Sequence, residues 1–179
     1  MIGCTELLFE CVKTMGYLGY SLIDVPYYVS KEVSELTKPD WSDDLHHSEN
    51  LVYVGSGEQS FLEMIKTKQL SHGRYMCLTP CFRNEPELDM LHLKMFLKLE
   101  LIDYLDTDDE DYARKTLDNM MFDMLNFYQH FLPKYHIEKS EVIKDQFDIL
   151  LDGVEIGSYG IRKTLGGELY VYGTGVALP

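Results

Sequence analysis

No stretch of this 179-residue chain is apolar for long enough to cross a bilayer, which takes about 20 consecutive residues in a helix. The opening Met1-Ile2-Gly3-Cys4-Thr5-Glu6 also lacks the basic start of a secretory signal. A cytoplasmic protein with no membrane partner is therefore expected. Positive charge is scarce as well: 16 lysines and arginines face 30 acidic residues, a net charge of −14. Much of the imbalance lies in the acidic runs 40–44 and 106–111. Proteins that grip nucleic acid gain affinity by neutralising phosphates with basic side chains, so a general attraction to RNA is excluded and only a local basic path could serve one. Cysteine is limited to Cys4, Cys11, Cys77 and Cys81, with no Cys-x-x-Cys element. Cys77 and Cys81 fall on one strand face four residues apart, too far for a disulfide. Only His72 and His92 lie near enough in sequence to complete a zinc set, so buried, reduced thiols are expected.

What is present is ordinary for a globular domain, with 45% apolar and 26% charged residues. The length suits a single domain over 1–179 with a substantial core. Helical spacing of Leu7, Leu8, Cys11, Val12 and Met15 predicts a helix over 5–18, ended by Gly16 and Gly19, and a strand over 20–26 closes on Pro26. Residues 30–50, with Trp41 and the His46-His47 pair, read as a solvated loop. A strand over 51–54 runs into Gly55-Ser56-Gly57 and a helix over 61–70, with Ser56 and Gln59 as a capping box. The longest helix is expected over 107–134. Thr107 to Glu110 would cap it, and Leu117, Met120, Met121, Met124, Leu125, Tyr128 and Phe131 form its apolar stripe. A meander follows: strands over 146–151 and 154–157 around Asp152-Gly153, a loop through Gly160, the Gly166-Gly167 turn, and a strand over 168–172.

Residues 74–101 carry the most information. Leu91, Leu93, Met95, Leu97, Leu99 and Leu101 alternate with His92, Lys94, Phe96, Lys98 and Glu100, the period-2 signature of a strand with an apolar underside. The same rule puts Arg83 and Glu85 on one face of the preceding strand, at the turn. An upper face bearing an arginine, carboxylates and one aromatic ring suits a polar ligand with a flat part; an ordinary amphipathic hairpin shows the same alternation.

Phe82-Arg83-Asn84-Glu85, followed by Phe96, resembles motif 2 of the class II aminoacyl-tRNA synthetases. The resemblance implies an α+β fold, an antiparallel sheet flanked by helices, and binding of ATP: Arg83 on the α-phosphate, Glu85 on the adenine amino group, Phe96 stacked on adenine. The chemistry suits these roles, since arginine offers phosphate a fixed fork of donors and a flat ring gives a base a platform. Gly19 to Pro26, after its helix, resembles motif 1 and implies a homodimer through residues 5–26; any helix-strand unit shares that outline. Ser56-Gly57-Glu58 resembles the Ser-x-Glu element whose glutamate holds the substrate α-amino group, although a helix cap reads the same way. Val154-Glu155-Ile156-Gly157-Ser158 resembles the strand whose acidic residue binds magnesium or the amino acid. It implies Glu155 as the magnesium residue, with Ser158 and Arg162 in the amino-acid pocket and Glu58 and Glu100 toward the same end. Tyr172-Gly173-Thr174-Gly175 resembles motif 3, in which Gly173 and Gly175 would let the backbone approach the nucleotide. The given sequence stops where that motif's arginine would follow.

The activity implied is amino-acid activation: a carboxylate attacks the α-phosphorus of ATP in line, and positioning and charge neutralisation carry the transfer. Arg83 and Glu155 would be its catalytic residues, ATP and magnesium its cofactors, and tRNA or a smaller molecule its acceptor. The alternative is a non-catalytic paralogue that keeps the fold as a binding or regulatory protein.

Overall fold

Two ten-residue strands joined through residues 83–94 lie side by side in the sheet: β4 (Gly73–Phe82) and β5 (Met95–Tyr104). They pair antiparallel without a break from Gly73 opposite Tyr104 to Phe82 opposite Met95. The computed structural model describes residues 4–38, 43–84 and 94–178. Glu85, Trp41 and His92 lie outside the described residues. Around this hairpin the chain runs α1 (Cys4–Tyr17), β1 (Ser21–Leu22), β2 (Tyr28–Ser30), α2 (Lys31–Ser34), β3 (Leu51–Tyr53) and α3 (Gly57–Lys66) before it, and α4 (Glu110–Phe131), β6 (Ile137–Ile143), β7 (Gln146–Leu151), β8 (Val154–Lys163) and β9 (Leu169–Leu178) after it. Among the described residues seven strands lie in the order β1-β4-β5-β9-β8-β7-β6, with only the β1 and β4 pair parallel, and β2 and β3 make a separate two-stranded sheet.

Each face of the large sheet is covered by a different layer. On one face Leu8, Cys11 and Met15 of α1 and Leu117, Met120, Met121, Met124 and Tyr128 of α4 pack on Leu99, Leu101, Tyr159 and Val171. The methionine-rich stripe of α4 is thus core, each such side chain contributing about 1.5–3 kcal/mol by leaving water. On the other face Val33, Val52, Val54, Phe61 and Leu62 cover Cys77, Ile102, Tyr104, Tyr170 and Tyr172. Because α3 and the small sheet bury this second face, Ile102 and Tyr104 are as enclosed as Leu99 and Leu101. The expected one-sided strand is therefore two-sided over its second half. At its other end Met95 and Leu97 are exposed.

Several boundaries differ from the sequence reading for identifiable reasons. Residues 30–50 are not all loop, since α2 follows β2 and buries Val33 and Ser34. The strand expected over 20–26 pairs only through Ser21 and Leu22. α3 starts at Gly57 rather than at residue 61, directly after the Ser56 cap. Asp109, not Thr107, caps α4: its carboxylate accepts from the backbone N–H of Asp111 and Tyr112, while Thr107 Oγ1 accepts from Asp109 N–H. An acidic cap at the positive end of the helix dipole explains the preference. β8 does not end at Gly157 but continues to Lys163, because Gly160 and its neighbours pair with β9. β6 escaped the sequence reading, since its mixed, mostly exposed side chains show no alternation. No described helix is long and apolar enough to cross a membrane.

Candidate functional site

The close seat of α3 on the sheet builds the site. A Cβ at Gly57 would stand 2.7 Å from Cys77 Sγ, 2.8 Å from Glu100 Cγ and 2.9 Å from Thr79 Cγ2. Only glycine lets the helix come so near. That approach joins the helix cap to the sheet: Ser56 Oγ accepts from Glu58 N–H at 3.1 Å and donates to Glu100 Oε1 at 2.7 Å. Gln59 does not complete the expected capping box; its Oε1 accepts from Gly55 N–H at 2.8 Å, and its Nε2 reaches Ser34 on α2.

Above β4, β5, β8 and β9, and beneath α2, β3 and α3, lies a cavity of about 160 Å³. Its lining brings together Arg83, Glu58, Glu100, Ser158 and Arg162, five residues singled out from sequence and drawn from α3, β5, β8 and the residue that follows β4. Lys98, Tyr172, Thr174, Ser56, Tyr53 and Phe82 complete its inner wall. Lys38 and Asp44, paired at 3.1 Å, close its outer side.

Charges in this cavity are arranged in pairs. Arg162 Nη1 donates to both oxygens of Glu58 at 2.9 Å, and Tyr170 OH donates to Glu58 Oε1 at 2.8 Å. Burial pushes the Glu58 carboxyl above its ordinary value; Arg162 and the Tyr170 hydroxyl oppose that shift. Burial would lower Arg162, but Glu58 beside it outweighs this and holds the guanidinium firmly charged. Its cation also rests 4.3 Å from the centre of the Tyr172 ring. Lys98 Nζ sits 2.8 Å from Glu100 Oε1. Burial alone would lower the Lys98 ammonium, yet Glu100 and then Cys81 hold it above its ordinary value.

Arg83 stands at the hairpin end of the cavity. Its backbone N–H donates to Lys94 O at 3.0 Å, and its guanidinium carbon is 5.1 Å from the centre of the half-buried Phe96 ring. Glu155 lies on β8, where a register shift sets Gly157 opposite Ile149 but Glu155 opposite Leu150. Burial and the neighbouring Asp148 carboxylate raise its proton affinity, and Lys98 and Arg83 act against this. Among the described residues no three His, Cys, Asp or Glu side chains converge on a cation site. Asp148 and Glu155, close enough for one charge to act on the other, are ligands of the type magnesium takes together with substrate phosphates, but neither lines the cavity.

Gly173 and Gly175 serve the opposite face. A Cβ at Gly173 would meet Met120 Sδ at 2.5 Å, and one at Gly175 would meet Leu99 Cδ2 at 2.7 Å. A register shift between β5 and β9 takes in Gly175, between the Glu100–Thr174 and Lys98–Ala177 pairs. There Tyr159 OH donates to the Thr174 carbonyl and Tyr128 OH to the Gly175 carbonyl. On the cavity side β9 presents Tyr172 and Thr174.

Sequence reasoning missed Lys98 and Tyr172, which line the cavity, and Tyr170, which holds Glu58. Lys98 was legible in the alternation with Phe96 and Glu100. The tyrosines gave no signal of their own, because aromatic residues in a strand are ordinary core material.

No protein-family model matches the sequence, and no curated protein matches it. Solved structures do match in shape. Pyrrolysyl-tRNA synthetase from Desulfitobacterium hafniense superposes with a TM-score of 0.70 at 15% identity, over 96% of this chain and 65% of that one. Seryl-tRNA synthetase from Pyrococcus horikoshii, complexed with ATP, gives 0.74 at 14% identity over 96% of this chain and 47% of that one. Cytoplasmic serine-tRNA ligase from Naegleria fowleri, in complex with AMP, gives 0.70 at 15% identity over 96% and 45%. The chain thus spans less than two thirds of the length of these proteins. With its large antiparallel sheet, flanking helices and polar cavity on one face, this chain has a class II synthetase-like catalytic fold.

Proposed function

We propose that this chain binds ATP and an amino acid in the cavity and joins them as an aminoacyl-adenylate, releasing pyrophosphate. The observation that carries the reading is the convergence of Arg83 with Glu58, Glu100, Ser158 and Arg162 around one cavity, on a fold that the ATP-complexed seryl-tRNA synthetase shares. Arg83 would neutralise charge at the α-phosphate. Phe96 would support the adenine, with Glu85 on its amino group. Glu58, Glu100, Ser158 and Arg162 would hold the amino acid. Glu155, with Asp148, would hold magnesium, whose charge offsets that of the phosphates. The protein's part is to place the carboxylate in line with phosphorus and keep its paired charges fixed.

The acceptor would be a tRNA or a smaller molecule, and a cytoplasmic setting fits the composition. A homodimer through residues 5–26 fits the exposure of Phe9, Tyr17 and Leu22 on α1 and β1. Sedimentation analysis tests it: Tyr17→Glu together with Leu22→Glu should convert a dimer to a monomer, and a monomeric wild type would sink the idea.

Amino-acid-dependent exchange of pyrophosphate into ATP tests the activity. Exchange with one amino acid, magnesium-dependent and lost in Arg83→Ala, is the expected result. A second reading is favoured by one feature: the Glu58 carboxylate already accepts three hydrogen bonds from Arg162 and Tyr170, so the cavity would bind ligand without turnover. Thermal stabilisation by ATP and an amino acid, with no exchange, would decide for it.

A further inference from the structure

Resting on the adenylation reading of this cavity, we infer that Lys98 is a catalytic residue of the transfer: its ammonium stands where the amino-acid carboxylate meets the α-phosphate and donates to oxygens of both. The order of side chains along β5 places it there. Phe96, Lys98 and Glu100 are alternate residues of one strand, and β5 pairs with β4 without a break, Phe96 opposite Cys81, Lys98 opposite Thr79 and Glu100 opposite Cys77. The three side chains therefore share one face, each about 7 Å from the next along the strand. Lys98 and Glu100 both line the cavity, together with Arg83. With the adenine on Phe96 and the amino acid at Glu100, the bond to be made falls over Lys98.

Lys98 is also held charged and in place. Its side chain is 14% exposed, and Nζ lies 2.8 Å from Glu100 Oε1. Burial works against the ammonium, but the Glu100 carboxylate beside it keeps the charge. Glu100 is itself fixed, since Ser56 Oγ at the start of α3 donates to the same oxygen at 2.7 Å. An ammonium carries three donors, so Lys98 can keep Glu100 and still reach substrate oxygens.

The reaction needs a cation at this point. Carboxylate and α-phosphate are both anions, and their repulsion must be offset as they close. The carboxylate oxygen bonds to the α-phosphorus as the bond from phosphorus to the pyrophosphate oxygen breaks. No proton moves, and Lys98 stays an ammonium throughout. Arg83, toward the adenine, and Lys98, toward the amino acid, flank the phosphorus and offset charge on both sides. The two cations do face one region, since both lie close enough to the Glu155 carboxylate on β8 to act on its charge.

The alternative is that Lys98 only matches the charge of Glu100, and a comparison of single and double variants separates the two. Pyrophosphate exchange into ATP is measured with magnesium, at saturating ATP and saturating amino acid of the kind the wild type accepts, for Lys98→Met, Glu100→Gln and both together. Lys98→Met should lower kcat at least about 100-fold. Its kcat and kcat/KM for ATP should fall together, the mark of a contact made in the transition state. The double variant leaves no charge of the pair unmatched and carries the test if Lys98→Met alone does not fold. It should stay at least about 100-fold slower than Glu100→Gln. A double variant as fast as Glu100→Gln, or faster, would show that Lys98 merely balances that carboxylate and would overturn the inference while adenylation stands; so would Lys98→Met as fast as the wild type. No exchange by the wild type with any of the twenty amino acids overturns the adenylation reading and this inference with it.

Discussion

Arg162 and Glu58, 104 residues apart in sequence, share two hydrogen bonds of 2.9 Å from one guanidinium nitrogen. The pair fastens α3 to β8 across the cavity. Only Nη1 of the arginine is engaged with Glu58, and the group is about one third exposed. Arg162→Ala should destabilise the protein by about 2–3 kcal/mol, below the range for a fully enclosed pair because water reaches the arginine. Arg162→Lys should rescue only part of this, lacking the planar group that rests on Tyr172. Urea unfolding of both variants checks the prediction; equal stability of Arg162→Ala and wild type would mean that the pair holds nothing together.

Burial raises the Glu58 carboxyl above its ordinary value of 4.5. The folded protein therefore keeps this proton to a higher pH than the unfolded chain does. In the window from 4.5 up to the raised value, the native state binds more protons, so stability from this group declines as pH rises and is flat beyond. Glu58→Gln removes that slope. The stability of Glu58→Gln relative to wild type should rise across the window, as measured by urea unfolding at several pH values; a difference that falls instead would show that Arg162 and Tyr170 outweigh burial.

Gly57→Ala should cost about 1–3 kcal/mol through overpacking, because the new methyl group would meet Cys77, Thr79 and Glu100 at 2.7–2.9 Å. The same shift should loosen the Ser56 to Glu100 hydrogen bond and weaken ligand binding. Thermal unfolding, with and without ATP and amino acid, reads both effects. Gly55→Ala is the control, since its nearest neighbour would be at 3.6 Å. Similar losses in the two variants would mean that the close seat of α3 is not the cause.

Local regularities were legible in the linear sequence because they depend on near neighbours alone. The β4 and β5 hairpin announced itself by alternation, α1 and α4 by the spacing of their apolar residues, and the Ser56 cap by its small-residue turn. Arg83, Glu58, Glu100, Ser158 and Arg162, singled out through the resemblance of their motifs, line one cavity. Failures came where a distant element set the outcome. The alternation along β5 could not reveal that α3 buries its upper face as well, and the glycines of β9 were read toward the ligand although their missing side chains make room for Met120 and Leu99.

The sequence by itself determined an antiparallel α+β fold with a charged face and a marked excess of acid, since period and composition are properties of the chain. Only the tertiary structure decided which charges meet. That Glu58 belongs to Arg162 and Tyr170, and that Ser56 belongs to Glu100, depend on bringing α3 within contact of β5, β8 and β9. Coulombic and hydrogen-bonding partners in a buried site are chosen by distance in space, which no spacing along the chain encodes.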